Sequence, residues 1–420
     1  MRPRAAIVVT GSELVRGERT DRNGPFLAGE LLLLGIEPAR ISIVGDDPAE
    51  LEAALHLAFD ADLCLVSGGL GPTHDDRTVE LVARVAGREL LLDEGLHEEI
   101  GVISRRIAER LKRPYADFEP GVRKQATLPE GAVSLGLIGT APGFVLETGR
   151  APVVVLPGPP AELQALWPRA LETEALRPVL ARAAQPERRV LRFYGASESA
   201  VAKALADVGG DGNGVVATIC ARDFEIHVDL LVDPGEGARG DAVERGLADP
   251  LAEYLFSRDG VRVEELVLAA CREQGWTLAT AESCTGGLVA GRLTSVPGAS
   301  DVFVGGVVAY ANEVKEAELG VPAGLLAEHG AVSAEVAAAM AAGARARLGV
   351  DVAISVTGIA GPDGGTPEKP VGLVFLHAET PAGGHGIEFT LPGDRETIRS
   401  RATVAALHLL RRLLSQSRDS

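Results

Sequence analysis

Long apolar runs, paired cysteines and an excess of positive charge are all missing from this chain of 420 residues, and each absence removes a class of function. No apolar stretch approaches the ~20 residues that a membrane-spanning helix needs. The stretch after Met1-Arg2-Pro3-Arg4 is too short for a signal-peptide core and reads as a first strand. The four cysteines, Cys64, Cys220, Cys271 and Cys284, are dispersed and show neither CxxC nor Cys/His spacing. That excludes a disulfide frame and a structural zinc site, and it suits a reducing cytoplasm. A formal net charge of −18 weighs against nucleic acid or an anionic membrane as partner, because self-repulsion and phosphate repulsion act in the same direction. Lysines are few: Lys112, Lys124, Lys203, Lys315 and Lys369.

What is present is an apolar fraction of 46% with 24% charged residues, the balance of a globular protein, spread over a length that calls for two or three domains. The run Ala5-Ala6-Ile7-Val8-Val9-Thr10 reads as a strand buried on both faces. Helical spacing follows through Phe26, Leu27, Glu30, Leu31 and Leu34 and stops at Gly35. Strands at 41–44, 63–66 and 153–156 alternate with helices at 48–59, 77–85 and 96–111. This predicts a doubly wound sheet over 1–170 with ligands at the carboxyl ends of its strands. Residues 171–260 carry a βαββαβ order, a small α+β module, in which Gly209-Gly210-Asp211-Gly212-Asn213-Gly214 reads as a turn. Residues 261–420 form a second complete α/β domain. It has strands at 277–280, 302–310, 352–356, 371–377 and 388–391 and helices at 334–348 and 394–414. The fold class is therefore α/β, two three-layer α/β domains joined by a small α+β module. No internal repeat is visible.

Two loops carry the chemistry. In the first domain Gly68-Gly69-Leu70-Gly71-Pro72-Thr73-His74-Asp75-Asp76 follows a buried strand. Glycines there let backbone amides approach a phosphate, and Asp75 and Asp76 offer hard oxygen ligands to a divalent metal. Gly11, Ser12 and Glu13 follow the first strand on the same edge, with Ser12 equally readable as a helix cap. In the last domain Ala281-Glu282-Ser283-Cys284-Thr285-Gly286-Gly287 is a strand-to-helix turn carrying a small nucleophile. Amides of Thr285, Gly286 and Gly287 there suit an oxyanion. Ser283 or Thr285 reads alternatively as a cap. A serine needs a base. Lys315 in Tyr310-Ala311-Asn312-Glu313-Val314-Lys315 supplies one if its strand neighbours the Ser283 strand, with Tyr310 as proton relay; a solvated Lys315 is the other reading. Cys284 competes as nucleophile but has no histidine beside it. The loop through Thr357, Gly358, Ala360 and Gly361 can hold a phosphate or be a long turn. Arg395 and Arg399, one helical turn apart, can grip an anion or form a surface stripe.

Assembled, these motifs resemble the CinA family, the competence- and damage-inducible proteins. The resemblance rests on the Ser283 and Lys315 motifs, on His329-Gly330-Ala331-Val332-Ser333, and on Thr357-Gly358-Ile359-Ala360-Gly361-Pro362-Asp363-Gly364-Gly365. Thr10-Gly11-Ser12-Glu13-Leu14, the loop 68–76 and Pro157-Gly158-Pro159-Pro160 are similar to that family's molybdopterin-binding-like domain, and 171–260 to its KH-like module, though without an evident GxxG between two helices. The family implies hydrolysis of nicotinamide mononucleotide to nicotinate mononucleotide and ammonia. Ser283 would be the nucleophile, Lys315 the base, Tyr310 the relay, and no cofactor would be required. It implies ADP-ribose pyrophosphatase activity in the first domain, with a nucleotide site at Gly11, Ser12, Glu13, Gly68, Gly69, Gly71, Thr73 and Gly158 and a divalent metal cation at Asp75 and Asp76. A cytoplasmic homo-oligomer, a dimer, is expected. Thr285, and not Ser283, is expected to cap the helix. Two alternatives stand beside this reading. One is a first domain that only binds a pterin or nucleotide, with a middle module that contacts RNA; the other is a Ser-Lys amidase acting on a different small substrate.

Overall fold

A computed structural model describes residues 2–222 and 224–416. By contact the chain divides into two compact units, one running to Arg188 and taking in Asp233–Gly235, the other comprising Arg189–Val232 and the chain from Glu236 onward.

The strands of the first unit are, in chain order, β1 (Arg4–Thr10), β2 (Glu37–Val44), β3 (Leu63–Ser67), the short β4 (Leu90–Leu92) and β5 (Thr127–Pro129), β6 (Val133–Ser134), β7 (Phe144–Glu147) and β8 (Pro152–Leu156). All but β4 and β5, which pair with each other, join one sheet ordered β2-β1-β3-β8-β7-β6. The first four of these are parallel, and β7 and β6 run antiparallel. Side chains alternate across a strand, so Ala6 and Val8 of β1 enter one core while Ala5, Ile7 and Val9 enter another. Both faces are covered, hence the uninterrupted apolar run in the sequence. The helix Asn23–Leu34 ends at Gly35, whose φ of 79° and close approach to the Ala184 carbonyl leave no space for a Cβ. The chain passes from β1 outward to β2 and returns across β1 to β3. The carboxyl ends of β1 and β3 therefore border the crevice where sheets of this topology bind ligands.

The second unit opens with β9 (Glu187–Tyr194), β10 (Val215–Arg222), β11 (Glu225–Val232) and β12 (Leu255–Ser257), in the sheet order β10-β11-β9-β12, with helices Glu198–Asp207 and Gly237–Ala248. The βαββαβ order is thus present, and 209–214 is a turn before β10 with Asn213 at φ 51°. This module shares its unit with the last domain through a buried polar contact. Glu225 lies 2.7 Å from Nε2 of His408, whose ring stacks on Tyr194 at 3.8 Å. Nδ1 of His408 accepts from Arg411 Nε at 3.4 Å, which makes the ring neutral with Nε2–H donating to Glu225. Burial acts in the same sense, holding the imidazole down to about 4.

The last domain carries β13 (Leu278–Glu282), β14 (Phe303–Val308), β15 (Val352–Gly358), β16 (Leu373–Thr380) and β17 (Gly383–Thr390), ordered β14-β13-β15-β16-β17. Strands β14, β13 and β15 are parallel, while β16 and β17 form an antiparallel hairpin. Leu278, Val352, Ile354 and Val356 pack under the helices Val263–Gln274 and Arg395–Gln416 on one face, while Ala281 and Ala353 meet Met340 and Ala344 of helix Ala334–Leu348 on the other. Strand ends shift from expectation across the sheet, and two of the shifts bear on the argument. The strand expected at 277–280 runs to Glu282, and the one expected at 388–391 begins at Gly383, because hairpin pairing with β16 extends an exposed polar strand that hydrophobic patterning undercounts. Among the described residues no helix is long and apolar enough to cross a membrane.

Candidate active site

β13 and β14 are neighbours, so the Ser283 turn and the chain after β14 emerge on one edge of the sheet. The turn is tight because Gly286 and Gly287 sit at φ 63° and 99°, left-handed conformations that glycine adopts without strain. Folding back over the strand end, the turn brings its amides onto the carboxylate of Glu282. Gly287 and Val289 donate to Oε2 at 2.9 and 3.1 Å, and Ala290 donates to Oε1 at 2.9 Å. Glu282 therefore caps the helix Leu288–Thr294. This corrects the expectation for Thr285, whose Oγ1 is buried with no partner. A strand two residues longer than expected puts a long acidic side chain within reach of amides that a threonine inside the turn cannot meet.

The oxyanion expectation changes with it. Gly286 donates to the Ser283 carbonyl at 3.1 Å and Gly287 to Glu282, so neither amide is directed at a substrate. The Cys284 and Thr285 amides are the ones in the turn that donate to no oxygen among the described residues. Arg399 fixes the orientation of the turn: Nε donates to the Cys284 carbonyl at 3.0 Å and Nη2 to the Thr285 carbonyl at 2.9 Å. Across a trans peptide the N–H points opposite to the C=O, so holding the Cys284 carbonyl on Arg399 turns the Thr285 N–H away from it.

Lys315 reaches the turn from the helix Asn312–Leu319, whose inward face carries Lys315 and Leu319 one turn apart. It is 1% exposed. Its Nζ donates to Ser283 Oγ at 3.2 Å, to the Ala309 carbonyl at 2.8 Å and to the Tyr310 carbonyl at 3.2 Å. All three donors meet neutral oxygens, and among the described residues Lys315 forms no ion pair. Burial without a counter-ion pushes its pKa down from the ordinary 10.5. The Cys284 thiol moves the other way, raised to about 11 by burial, and so stays protonated at neutral pH. Tyr310 is not a relay in this arrangement. Its side chain is 60% exposed, and its hydroxyl accepts from Arg395 Nη2 at 2.8 Å. Lys315 touches Ser283 directly, and only the tyrosine's backbone joins the network.

Of the other residues singled out, Arg395 also donates to the Gly361 carbonyl at 2.8 Å, so the loop 358–361 and the last helix are tied together. Thr357 donates to the Ala331 carbonyl at 2.7 Å, and Ala360 is buried in the core, so these two side chains support the loop. Gly358 ends β15 against Val374. Lys369 secures the neighbouring loop by donating to the carbonyls of His329 and Val332 at 2.6 and 2.7 Å. Sequence reasoning missed Glu282, Lys369 and the Ala309 carbonyl. Only Glu282 left a signal, as an acid in an otherwise uncharged run from 276 to 291.

In the first unit the site residues separate into two cavities. One, of about 620 Å³, gathers Thr10, Glu13, Asn23, Ser67 and Gly158 at the ends of β1, β3 and β8. Gly11 lies at the mouth of that crevice with its amide on the Val44 carbonyl, while Ser12 is turned aside onto Asp46 at 2.5 Å. The second, of about 560 Å³, is lined by Gly69, Gly71, Asp76, Arg77, Glu80 and Lys124 among others. Gly68 and Gly69 hold φ of 103° and 64°, with Thr78 Oγ1 donating to the Gly68 carbonyl at 2.8 Å. The paired-aspartate expectation is corrected. Asp76 lines the second cavity and accepts from the amide and hydroxyl of Thr73, at 3.0 and 2.5 Å, whereas Asp75 turns outward beside a fully exposed His74. Among the described residues no group of three or more His, Cys, Asp or Glu is placed to hold a metal. A hard cation here fits only as Mg²⁺ is usually held, by one carboxylate with substrate phosphates and water.

Comparison with known proteins covers the whole chain. Residues 261–414 match the family described as CinA C-terminal domain, and residues 6–181 match the one described as probable molybdopterin binding domain. A CinA-like protein of Mycolicibacterium gilvum is 46% identical over 99% of both chains. A CinA-like protein of Mycobacterium leprae is also 46% identical, over 99% of this chain and 98% of its own. Among solved structures, the competence/damage inducible protein CihA from Agrobacterium tumefaciens is 42% identical over 36% of this chain and 95% of its own, with a TM-score of 0.35.

Proposed function

The chain belongs to the CinA family, and from that premise we propose that its last domain is an amidohydrolase converting nicotinamide mononucleotide to nicotinate mononucleotide and ammonia. The observation that carries this reading is the 3.2 Å contact between Lys315 Nζ and Ser283 Oγ, made by a lysine with no counter-ion among the described residues. As the neutral amine, Lys315 keeps two N–H groups on the Ala309 and Tyr310 carbonyls and points its lone pair at the Ser283 hydroxyl. Ser283 Oγ attacks the carboxamide carbon as its proton passes to Lys315. The oxyanion develops toward the Cys284 and Thr285 amides, a contribution of about 3 kcal/mol per donor. Lys315 then returns the proton to the departing nitrogen, the C–N bond breaks and ammonia leaves. Water, deprotonated by Lys315, opens the acyl-Ser283 ester to the carboxylate. Ammonia release by the wild type, Ser283→Ala and Lys315→Ala tests the reading: both variants are expected to be inactive, and activity retained in Ser283→Ala but lost in Cys284→Ala would transfer the nucleophile to the cysteine.

For the first unit we propose cleavage of the phosphoanhydride of ADP-ribose to AMP and ribose 5-phosphate. Two cavities flanking the Gly68-Gly69 turn support it, since a dinucleotide-like substrate has two halves to place. A divalent cation at Asp76 would neutralise charge on the bridging oxygen. Chelation that leaves AMP production unchanged would remove the cation from this reading.

A further inference from the structure

Glu225, which opens β11 of the small module, is 8% exposed and takes no part in the amide chemistry. Its carboxylate accepts from Nε2 of His408 at 2.7 Å and from Nε2 of His227 at 3.0 Å. Burial alone would raise this carboxyl, but the two imidazole hydrogen bonds outweigh it and bring it down to about 2, so the charge persists inside the unit. Around this bond the module and the last helix interlock. The His408 ring lies flat on Tyr194 at 3.8 Å and meets the edge of Phe256 at 4.6 Å. Arg401, Arg411 and Arg412 of the helix lie over Phe224, Phe256 and Tyr194 of the module at 5.5, 5.7 and 5.5 Å. Phe224 holds φ 70°, a left-handed conformation that a bulky residue keeps only where its surroundings impose it. Here they are Arg401 and the Tyr194 ring, edge-on at 5.9 Å.

The helix docked in this way is the one that carries Arg399, whose guanidinium holds the Cys284 and Thr285 carbonyls. His408 follows Arg399 by about two and a half turns, about 14 Å along the axis. Over that length a helix moves as one body, so a rotation or slide at His408 reappears at Arg399. Apolar packing resists such motion weakly because it has no direction. A hydrogen bond between a buried carboxylate and an imidazole has one. We propose that Glu225 is a positioning residue for the amidase: from the small module it fixes the last helix through His408, and through that helix the grip of Arg399 on the Ser283 turn. The inference rests on the amidase reading. The module supplies alignment and no chemistry, so its contribution falls on kcat, where a misplacement of about 1 Å can cost a hundredfold.

The test is ammonia release from nicotinamide mononucleotide by the full-length chain, well below the melting temperature of each variant. Glu225→Gln, which keeps the shape and removes the charge, is expected to lower kcat by about tenfold to a hundredfold and to leave KM within about threefold. His408→Gln, whose side-chain amide can donate to Glu225 in place of the imidazole, should keep most of the activity. His408→Phe, which keeps the stack on Tyr194 and loses the donor, should not. In an Arg399→Lys background Glu225→Gln should cost nothing further, because the route to the turn is already cut. A loss confined to KM, losses that add in the double variant, or His408→Phe as active as His408→Gln overturns the proposal. Hydrogen exchange on the same proteins separates it from the amidase reading. Glu225→Gln should quicken exchange at the amides of residues 283–290 by about tenfold and leave the interior strand β15 as it is. If the wild type releases no ammonia from the mononucleotide, the amidase reading fails on its own and exchange decides the positioning. Unchanged exchange at the turn, or exchange quickened equally in β15, the mark of general loosening, overturns it.

Discussion

Residues 68–76 of the first unit and residues 283–287 of the second hold the same position in their sheets, following an interior parallel strand, and each carries two consecutive glycines in left-handed conformation, at φ 103° and 64° in one and 63° and 99° in the other. What surrounds them differs. The Ser283 turn is closed on itself: Glu282 takes three amides, Arg399 takes two carbonyls, and a lysine 1% exposed reaches the Ser283 hydroxyl. The loop 68–76 is open, with the His74 side chain 99% exposed and Asp75 at 55%. A turn preorganised in a low-dielectric setting can shift a pKa and carry out proton transfer with its own groups. An open loop cannot, and its charges gain force only once a ligand excludes water. One backbone device thus stands in two settings, and burial is the variable that separates them.

The largest effects should fall on the closed turn. Ser283→Ala and Lys315→Ala are each expected to lower ammonia release from nicotinamide mononucleotide by about 10⁴-fold or more, the range seen when a nucleophile or its base is removed, and without additivity in the double variant. Lys315 must be neutral to act, so kcat/KM should rise with pH along one ionisation whose midpoint lies below 10.5. Stability carries the same signature with a definite sign. Between the lowered folded value and 10.5 the unfolded chain binds the extra proton, so stability rises with pH across that window. Urea melts of wild type and Lys315→Met should therefore converge as pH increases toward 10.5, and a constant gap would mean that Lys315 is not perturbed.

Glu282→Gln comes next. The carboxylate accepts from three amides, whereas glutamine offers one oxygen and an NH₂ that opposes an amide donor. The turn loses its brace, and stability should drop by about 1–2 kcal/mol, the scale of a lost helix cap with a charged acceptor. Ammonia release should fall by about 10²-fold, because the oxyanion donors move off target. Full activity in Glu282→Gln would show that the closed turn needs no acid beneath it, and the contrast between the two loops would narrow to Lys315 alone.

The contrast itself was only partly legible in the sequence. Strand runs such as residues 5–10 and 153–156 announced the parallel sheets because both faces of those strands are buried, and the proximity of Ser283 and Lys315 followed from two strand ends meeting on one edge. What the sequence withheld was direction. Nothing in the residue order says that the Tyr310 hydroxyl turns to Arg395 while its carbonyl turns to Lys315, or that Asp75 and Asp76, adjacent in the chain, point apart. Glu282 was missed for a related reason: its role depends on where β13 stops, and strand ends are set by pairing with β14 and β15, not by local propensity.

The smallest effects belong to the open loop, where a pair of substitutions sharpens the comparison. Asp76 lines the cavity and braces Thr73, so Asp76→Asn should lower AMP production from ADP-ribose by about tenfold to a hundredfold, as expected for weakening a hard ligand or a phosphate-facing turn. Asp75 is exposed beside His74 and lines neither of the two cavities that hold the site residues, so Asp75→Asn should stay within about threefold of wild type, the ordinary range for a surface change. Salt separates the loops as well. Screening acts on exposed charges and hardly on buried ones. Raising ionic strength should therefore weaken ADP-ribose binding in the first unit while leaving the proton transfer between Ser283 and Lys315 unchanged, measured as kcat at saturating mononucleotide. If Asp75→Asn proves as damaging as Asp76→Asn, the aspartates must converge when substrate binds. The open loop would then be a closed site waiting for its ligand, and burial would cease to distinguish the two.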